Sequence, residues 1–229
     1  MKRVPVCMIL VVLLLAATQA LAQEARRPQT ELYAGVGIPL APESFKKYYK
    51  VGLSAHGQYV IFPSPTLGLS LTAGYERFMI DSKTIEKEMS DNFTAYILDQ
   101  TGQLPSFYGI AYVPQVEGSA SDIEFGAGLR PYLTRPEASR QLFLFGMATV
   151  NMLRTSIRGS GTVTIPNVGI YQFESKSEEN ATKMGLAGGV GMEMPAGESN
   201  NIVVQGVFRF IFTEGDMTEF LGVTAGIVY

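Results

Sequence analysis

The chain has 229 residues, 18 Lys and Arg against 21 Asp and Glu, a formal net charge of −3, one Cys, one His and no Trp. Mild acidity without a basic cluster excludes ordinary nucleic-acid binding. One cysteine excludes a disulfide framework or a cysteine metal site, and one histidine, His56, cannot build a histidine metal cluster, so no cofactor or metal is expected.

The chain opens with Met1-Lys2-Arg3, an apolar run to about Ala17, and then Thr18-Gln19-Ala20-Leu21-Ala22. A basic start, a short apolar stretch and an Ala-x-Ala site predict a secretory signal peptide over 1–22. Cleavage would remove Lys2, Arg3 and Cys7, leaving 207 residues with a charge of −5. A short segment, 23–30, would then precede a single all-β domain over 31–229. No later apolar run approaches the roughly 20 residues of a spanning helix, so a membrane-inserted form has to be a closed barrel.

Period-2 alternation predicts the strands in chain order. Leu32–Leu40 sets Leu32, Ala34, Val36, Ile38 and Leu40 against Tyr33, Gly35 and Gly37. Lys50–Ile61 sets Val51, Leu53, Ala55, Tyr59 and Ile61 against Gly52, Ser54, His56 and Gln58. Leu67–Phe78 sets Leu67, Leu69, Leu71, Ala73 and Tyr75 against Gly68, Ser70, Thr72, Gly74 and Glu76. Asp122–Leu133 sets Ile123, Phe125, Ala127, Leu129, Pro131 and Leu133 against Asp122, Glu124, Gly126, Gly128, Arg130 and Tyr132. Gln141–Arg154 is apolar on both faces, which leaves its register open. Lys183–Met194 sets Met184, Leu186, Val190, Met192 and Met194 against Lys183, Gly185, Gly189, Gly191 and Glu193. Asn201–Thr213 sets Ile202, Val204, Phe208, Phe210 and Phe212 against Gln205, Arg209 and Thr213. Thr218–Tyr229 sets Leu221, Val223, Ala225, Ile227 and Tyr229 against Gly222, Thr224 and Gly226. Strands of roughly ten residues suit a tilted crossing of a bilayer.

The connections alternate in length. Tight turns at Phe62–Thr66, Thr134–Arg140 and Pro195–Asn200 face longer loops at Ala41–Tyr49, Met79–Ser121 and Thr155–Thr182. Within the second long loop, Ser82–Gly102 reads as a helix, with Ile85, Met89, Phe93, Tyr96 and Ile97 on one side, Asp81 or Ser82 at its start and Gly102 at its end. In the third, Gly161–Ile165 and Gly169–Phe173 read as a hairpin.

Which face is inside decides the compartment. An eight-stranded barrel is just wide enough for side chains to fill. Phe208, Phe210, Phe212, Phe125 and Tyr75 with rows of Leu and Val would overfill it, whereas a Gly-rich face with a few Glu, Arg and Tyr fits. That small, sparsely charged face is also a poor solvent surface, since soluble exteriors are about 25–35% charged. The chain ends on Tyr229, an aromatic residue where a membrane rim would lie. The expected fold is an all-β, eight-stranded antiparallel up-and-down transmembrane β-barrel, with a short helix in an extracellular loop.

In strand number, loop asymmetry, signal peptide and terminal Tyr229 the sequence resembles the eight-stranded outer-membrane barrels of the OmpA/OmpX-like kind. The resemblance implies the outer membrane of a Gram-negative bacterium, with outer-membrane lipid around the barrel. It also implies that the C-terminal strand, with Tyr229, is an assembly signal for the barrel-assembly machinery.

Strand direction places the lumen charges. Arg209 is expected to pair with Glu76 or Glu124, and Arg130 with Glu193 or Glu31, and these pairs would plug the lumen. Ser54, His56, Gln58 and Gln205 are expected as lumen polar residues. Ser54 and His56 lie two apart on one face, but a nucleophile needs its base and an orienting acid in contact. A lumen histidine bonded to a neighbour is the simpler reading, and no enzyme is expected. The expected role is structural or surface-interacting, in envelope integrity or adhesion, through an extracellular partner at loops 79–121 and 155–182. The alternatives are a narrow porin-like channel or transporter for small or lipophilic solutes, and a soluble periplasmic ligand-binding β-barrel.

Overall fold

The computed structural model describes residues 26–135, 138–197, 200–214 and 216–229. The expected signal peptide and the residues up to 25 lie outside it. Eight antiparallel strands follow one another around a closed ring. They are β1 (Gln29–Ala41), β2 (Tyr49–Ser64), β3 (Leu67–Ile80), β4 (Ala111–Pro131), β5 (Gln141–Ile165), β6 (Gly169–Pro195), β7 (Asn201–Phe212) and β8 (Met217–Val228). β1 pairs with both β2 and β8, which leaves no free edge in the ring itself.

The alternation sorts the side chains as a membrane barrel requires. Leu53 is 62% exposed, Leu71 57% and Leu129 54%, while Glu31, Arg130 and Asn151 in the lumen have no exposure at all. An apolar exterior continuous around a ring far exceeds the few hundred Å² that soluble monomers tolerate. Facing acyl chains it costs nothing, and the closed ladder satisfies the backbone internally.

Three differences from the sequence reading stand out. The first concerns aromatic rings. The outward Phe125, Tyr75 and Phe212 are exposed as expected, but Phe62, Phe78, Phe143, Phe145 and Phe220 point inward, with Tyr33 and Tyr132. Glycines make the room. A Cβ at Gly191 would strike the Phe143 ring, and one at Gly52 the Phe78 ring. The second concerns β5, whose register was open: Phe143, Phe145, Met147, Thr149 and Asn151 face the lumen and Leu142, Leu144 and Val150 face out.

The third concerns the two long loops, which are largely regular structure. β4, β5 and β6 run 21, 25 and 27 residues, against 12 for β7 and β8. Their excess forms a three-stranded sheet that projects beyond the ring, with β5 and β6 paired to the tip at Ile165↔Gly169. Helix α2 (Ser82–Thr101) ends on Gly102 at φ 68°, as its glycine predicts. It packs along β4, with Phe93 against Tyr112 at 4.7 Å and Glu86 Oε1 accepting from the Val116 N–H at 3.0 Å. Tyr96, assigned to its apolar side, is 63% exposed. A second, six-residue helix, α1 (Glu43–Tyr48), occupies the first loop, and a 3₁₀ turn (Pro105–Tyr108) follows α2.

Neighbouring positions on β3 distinguish the two environments. With Cys7 replaced, a nitroxide at Leu71→Cys in bilayers should collide freely with oxygen and be protected from a water-soluble nickel complex. A label at Ser70→Cys should be shielded from lipid. Nickel access at Leu71 would show that the exterior meets water.

Candidate functional site: lumen and projecting sheet

The lumen is built in layers. At the tight-turn end, Arg26, just before β1, turns into the ring. Its guanidinium lies 4.5 Å from the Phe62 ring centroid and 4.6 Å from that of Tyr132. It donates to both Glu193 oxygens at 2.8 and 2.9 Å and to Gln141. Asn201 Nδ2 donates to the same Glu193 at 2.6 Å. Glu193 therefore pairs with Arg26 and not with Arg130.

The next layer centres on Arg130. Its Nη1 and Nη2 donate to Glu31 at 2.5 and 2.7 Å, a two-pronged pair with neither side chain exposed. Nη2 also donates to Gln58 Oε1 at 2.7 Å and to the Tyr33 hydroxyl at 3.1 Å, and Tyr33 donates to Glu31. The guanidinium lies 4.3 Å from the Phe143 ring centroid. Planar, always charged and weakly hydrated, a guanidinium suits a dry ion pair stacked on an aromatic face. Of the two partners expected for Arg130, Glu31 is the one in contact.

Above a band holding Thr72, Thr149, Gln205, Val207 and Thr224 lies the Arg209 layer. Arg209 Nη1 donates to Glu76 Oε2 at 2.7 Å, and its Nε lies 3.3 Å from Glu124 Oε2, so both expected carboxylates meet it. His56 Nε2 is 3.0 Å from Arg209 Nη2. A guanidinium only donates, so that nitrogen accepts, and the imidazole is the neutral tautomer protonated on Nδ1. His56 is thus held as an acceptor, and among the described contacts it makes none with Ser54. Asp122, two positions before Glu124, is 5% exposed and opposite Glu76 in the ladder. Three carboxylates, Glu76, Asp122 and Glu124, therefore face one guanidinium. Phe78, Ile211 and Phe220 close the layer from above, with Phe45 of α1 meeting Phe78 edge to face at 5.1 Å between centroids.

Sequence reasoning omitted Arg26, Asp122, Tyr33 and Tyr132 from this network. Alternation alone placed Asp122, Tyr33 and Tyr132 inward. Arg26 precedes the first alternating residue and carries no such signal.

At the opposite end of the molecule, the projecting part of β6 has β5 on one side only. β7 stops pairing at Gly185↔Ile211, so residues from Gly169 to Met184 form an open sheet edge. Helix α2 covers the β4 flank instead. Its Glu88 is bound by Lys47 and by the Tyr48 hydroxyl (2.6 Å), both on α1. The Lys47 ammonium beside Glu88 holds its carboxyl below the usual range, and the same carboxylate raises Lys47. Tyr229 closes the ring by exchanging backbone bonds with Thr30 at 2.8 and 3.2 Å, its own side chain exposed.

These features define a class: a transmembrane β-barrel of the outer-membrane type, with a filled lumen and a sheet projecting from one rim. No protein-family model matches the chain, and no curated protein matches it. Among solved structures it is similar to Neisserial surface protein A, with 10% identity over 90% of this chain and 98% of that one, at a TM-score of 0.48. It is similar to Ail, the attachment invasion locus protein of Yersinia pestis, with 11% identity over 89% and 100%, at 0.41. It is also similar to a major outer membrane protein from Thermus thermophilus, with 13% identity over 89% and 99%, at 0.45. The barrel assignment rests on the chain's own strand pairing and not on these likenesses.

Two outcomes follow. Arg130→Ala strands Glu31 without its counter-charge, a loss on the order of 3–5 kcal/mol, which should lower the urea midpoint of unfolding in lipid. Arg130→Met with Glu31→Gln should lose much less. At the rim, the depressed carboxyl of Glu88 means that its bond to α1 is kept above the ordinary glutamate range. The bond is lost only as pH falls through the lowered value. Amide exchange over 43–48 should accelerate in acid, and Glu88→Gln should show that faster exchange already at neutral pH.

Proposed function

We propose that this protein is a non-enzymatic outer-membrane barrel whose sealed lumen makes it an anchor and whose projecting sheet presents an extracellular partner site. The observation that carries the reading is the open edge of β6 from Gly169 to Met184, held clear of the ring. An unpaired strand edge offers alternating N–H and C=O groups to an extended segment of another polypeptide. Charges along it, Glu174, Lys176, Glu178, Glu179 and Lys183, keep it from pairing with copies of itself. Ion pairs within the edge region, Lys176 with Glu178 at 2.7 Å and Arg154 with Glu178 at 3.8 Å, are exposed, so they stiffen little and remain free to exchange partners.

The lumen supports the anchoring half of the reading. The Arg26, Arg130 and Arg209 layers occupy the bore at three heights, each bonded to carboxylates and stacked on or capped by aromatic rings. An ion crossing it would have to break buried pairs, each worth several kcal/mol to leave intact. In outer-membrane orientation the tight turns lie in the periplasm and the long hairpins outside. The C-terminal strand ending on Tyr229 then serves as the signal read by the barrel-assembly machinery.

The two halves are tested together. Cross-strand partners Arg158 and Lys176 allow residues 159–175 to be replaced by a two-residue turn without disturbing the ring. Cells bearing the trimmed protein should keep its heat-modifiable gel migration but lose attachment to extracellular-matrix proteins, down to the level of cells lacking it. In planar bilayers the intact protein should show no steady conductance, and Arg26→Ala, Arg130→Ala and Arg209→Ala together, which open all three layers, should introduce it. Attachment unchanged by trimming, or an open channel in the intact protein, would remove the respective half.

A further inference from the structure

Above the Arg209 layer lies a cavity of about 130 Å³ at the rim that carries the projecting sheet. Four aromatic side chains, Phe45, Tyr49, Phe78 and Phe220, line it with Leu153 and Ile211. The rings are tightly arranged, with centroids 5.0 Å apart for Phe45 and Tyr49 and 5.4 Å for Phe78 and Phe220. Asp122 also lines it. That aspartate is 5% exposed, and its Oδ1 is buried without a hydrogen-bond partner among the described residues. Glu76 Oε1 and Glu124 Oε1, in the same cluster, are likewise unpartnered.

The charge balance is uneven between the two ends of the lumen. Glu31 and Glu193 each have their own guanidinium. Glu76 and Glu124 share Arg209, and Asp122 has none. Buried carboxylate without a counter-charge is unfavourable and is relieved by a proton or by a cation. A bare metal ion does not fit: divalent cations want several converging ligands, and the described residues contain no such group. The wall above Asp122 is apolar and aromatic, which favours an organic cation over a hydrated one, both by burial and through the ring faces.

We propose that this cavity binds a small primary amine with an apolar or aromatic body, its ammonium on Asp122 and its body among Phe45, Phe78 and Phe220. The volume sets the size. A dry cavity of roughly 150 Å³ accepts a benzene ring, so about 130 Å³ makes a single ring the upper limit for the body, with its short aminoalkyl arm directed to Asp122, and excludes a lipid. An ammonium brings three donors. One would meet Asp122 Oδ1, and the others face a cluster that still has unpartnered carboxylate oxygens. The site is separate from the β6 edge and stands whether or not that edge takes a partner.

The test is calorimetric titration of the full barrel in nonionic detergent with 2-phenylethylamine as the probe, against empty micelles. One-to-one binding is expected. Asp122→Asn should weaken it by about thirty-fold or more, the usual consequence of removing one member of a buried charge pair. The uncharged 2-phenylethanol and the body-less methylammonium should both bind far more weakly. Leu153→Trp, which fills the cavity from the position opposite Asp122 without removing a charge, should abolish binding, and it decides the matter if Asp122→Asn fails to show heat-modifiable migration. Absent binding by the intact protein, equal binding by the Trp variant, or equal affinity for methylammonium would each overturn the proposal.

Discussion

Closing eight strands into a ring leaves a bore about as wide as the side chains that fill it, and any charge placed there must find its partner inside. The Arg130–Glu31 pair shows how strict that condition is. Both side chains have no exposure, and the pair is two-pronged. Gln58 and Tyr33 take further Nη2 contacts, and the Phe143 ring covers the guanidinium face. Around Arg130 on β4, Glu31 and Tyr33 come from β1, Gln58 from β2 and Phe143 from β5. The pair therefore fixes the register of β1, β2, β4 and β5 relative to one another. A slip of one residue would send Arg130 and Glu31 to the lipid face. The inside-out sorting of the whole chain and the dry pair are two sides of one constraint.

The same constraint explains the glycines. Rings as large as Phe143 and Phe78 can share a narrow bore with guanidinium groups only where the facing strand has no side chain. Gly191 and Gly52 stand opposite those rings, and Gly74 stands beneath His56. The lumen is thus not a polar face with gaps. Aromatic rings and charges alternate along its axis, each ring set lowering the local dielectric around the ion pair beside it and strengthening that pair.

How legible this was depends on what each residue faces. Where lipid lies on one side and a small or polar lumen residue on the other, the period of two is clean, and β1 to β4 and β6 to β8 could be sorted from sequence. Glu31, Glu76, Glu124, Arg130, Glu193 and Arg209 all lie where alternation puts them. Pairing was harder, because two carboxylates at one height are equivalent until the third dimension is known. Arg26 took Glu193 from a segment with no alternation at all. β5 was illegible because Phe143 and Phe145 fill space vacated by Gly189 and Gly191 on its neighbour, which makes both of its faces apolar. The hairpin arms Gly161–Ile165 and Gly169–Phe173 pair as their alternation indicates, but the part of β6 that joins this tip to the ring was missed for the opposite reason. From Glu174 to Asn180 both faces are polar, since both meet water, and a strand without an inside carries no period.

That projecting sheet is the part of the molecule whose stability does not come from the bilayer or from closure. Its β4 flank is covered by α2, which packs Phe93 and Met89 toward the sheet and is tied to α1 through Glu88. Its β6 flank has no cover, and every residue from Gly169 to Asn180 is exposed. A sheet protected on one edge and open on the other is asymmetric in what it can recognise. The helix side is finished, and backbone pairing is available only along β6. The same α1 that braces the helix places Phe45 and Tyr49 over the outer charged layer. The rim thus carries two features of different reach: an edge long enough for a polypeptide and a cavity small enough for a single ring. Only the cavity is built by the short first loop, which folds Phe45 back across the mouth of the barrel.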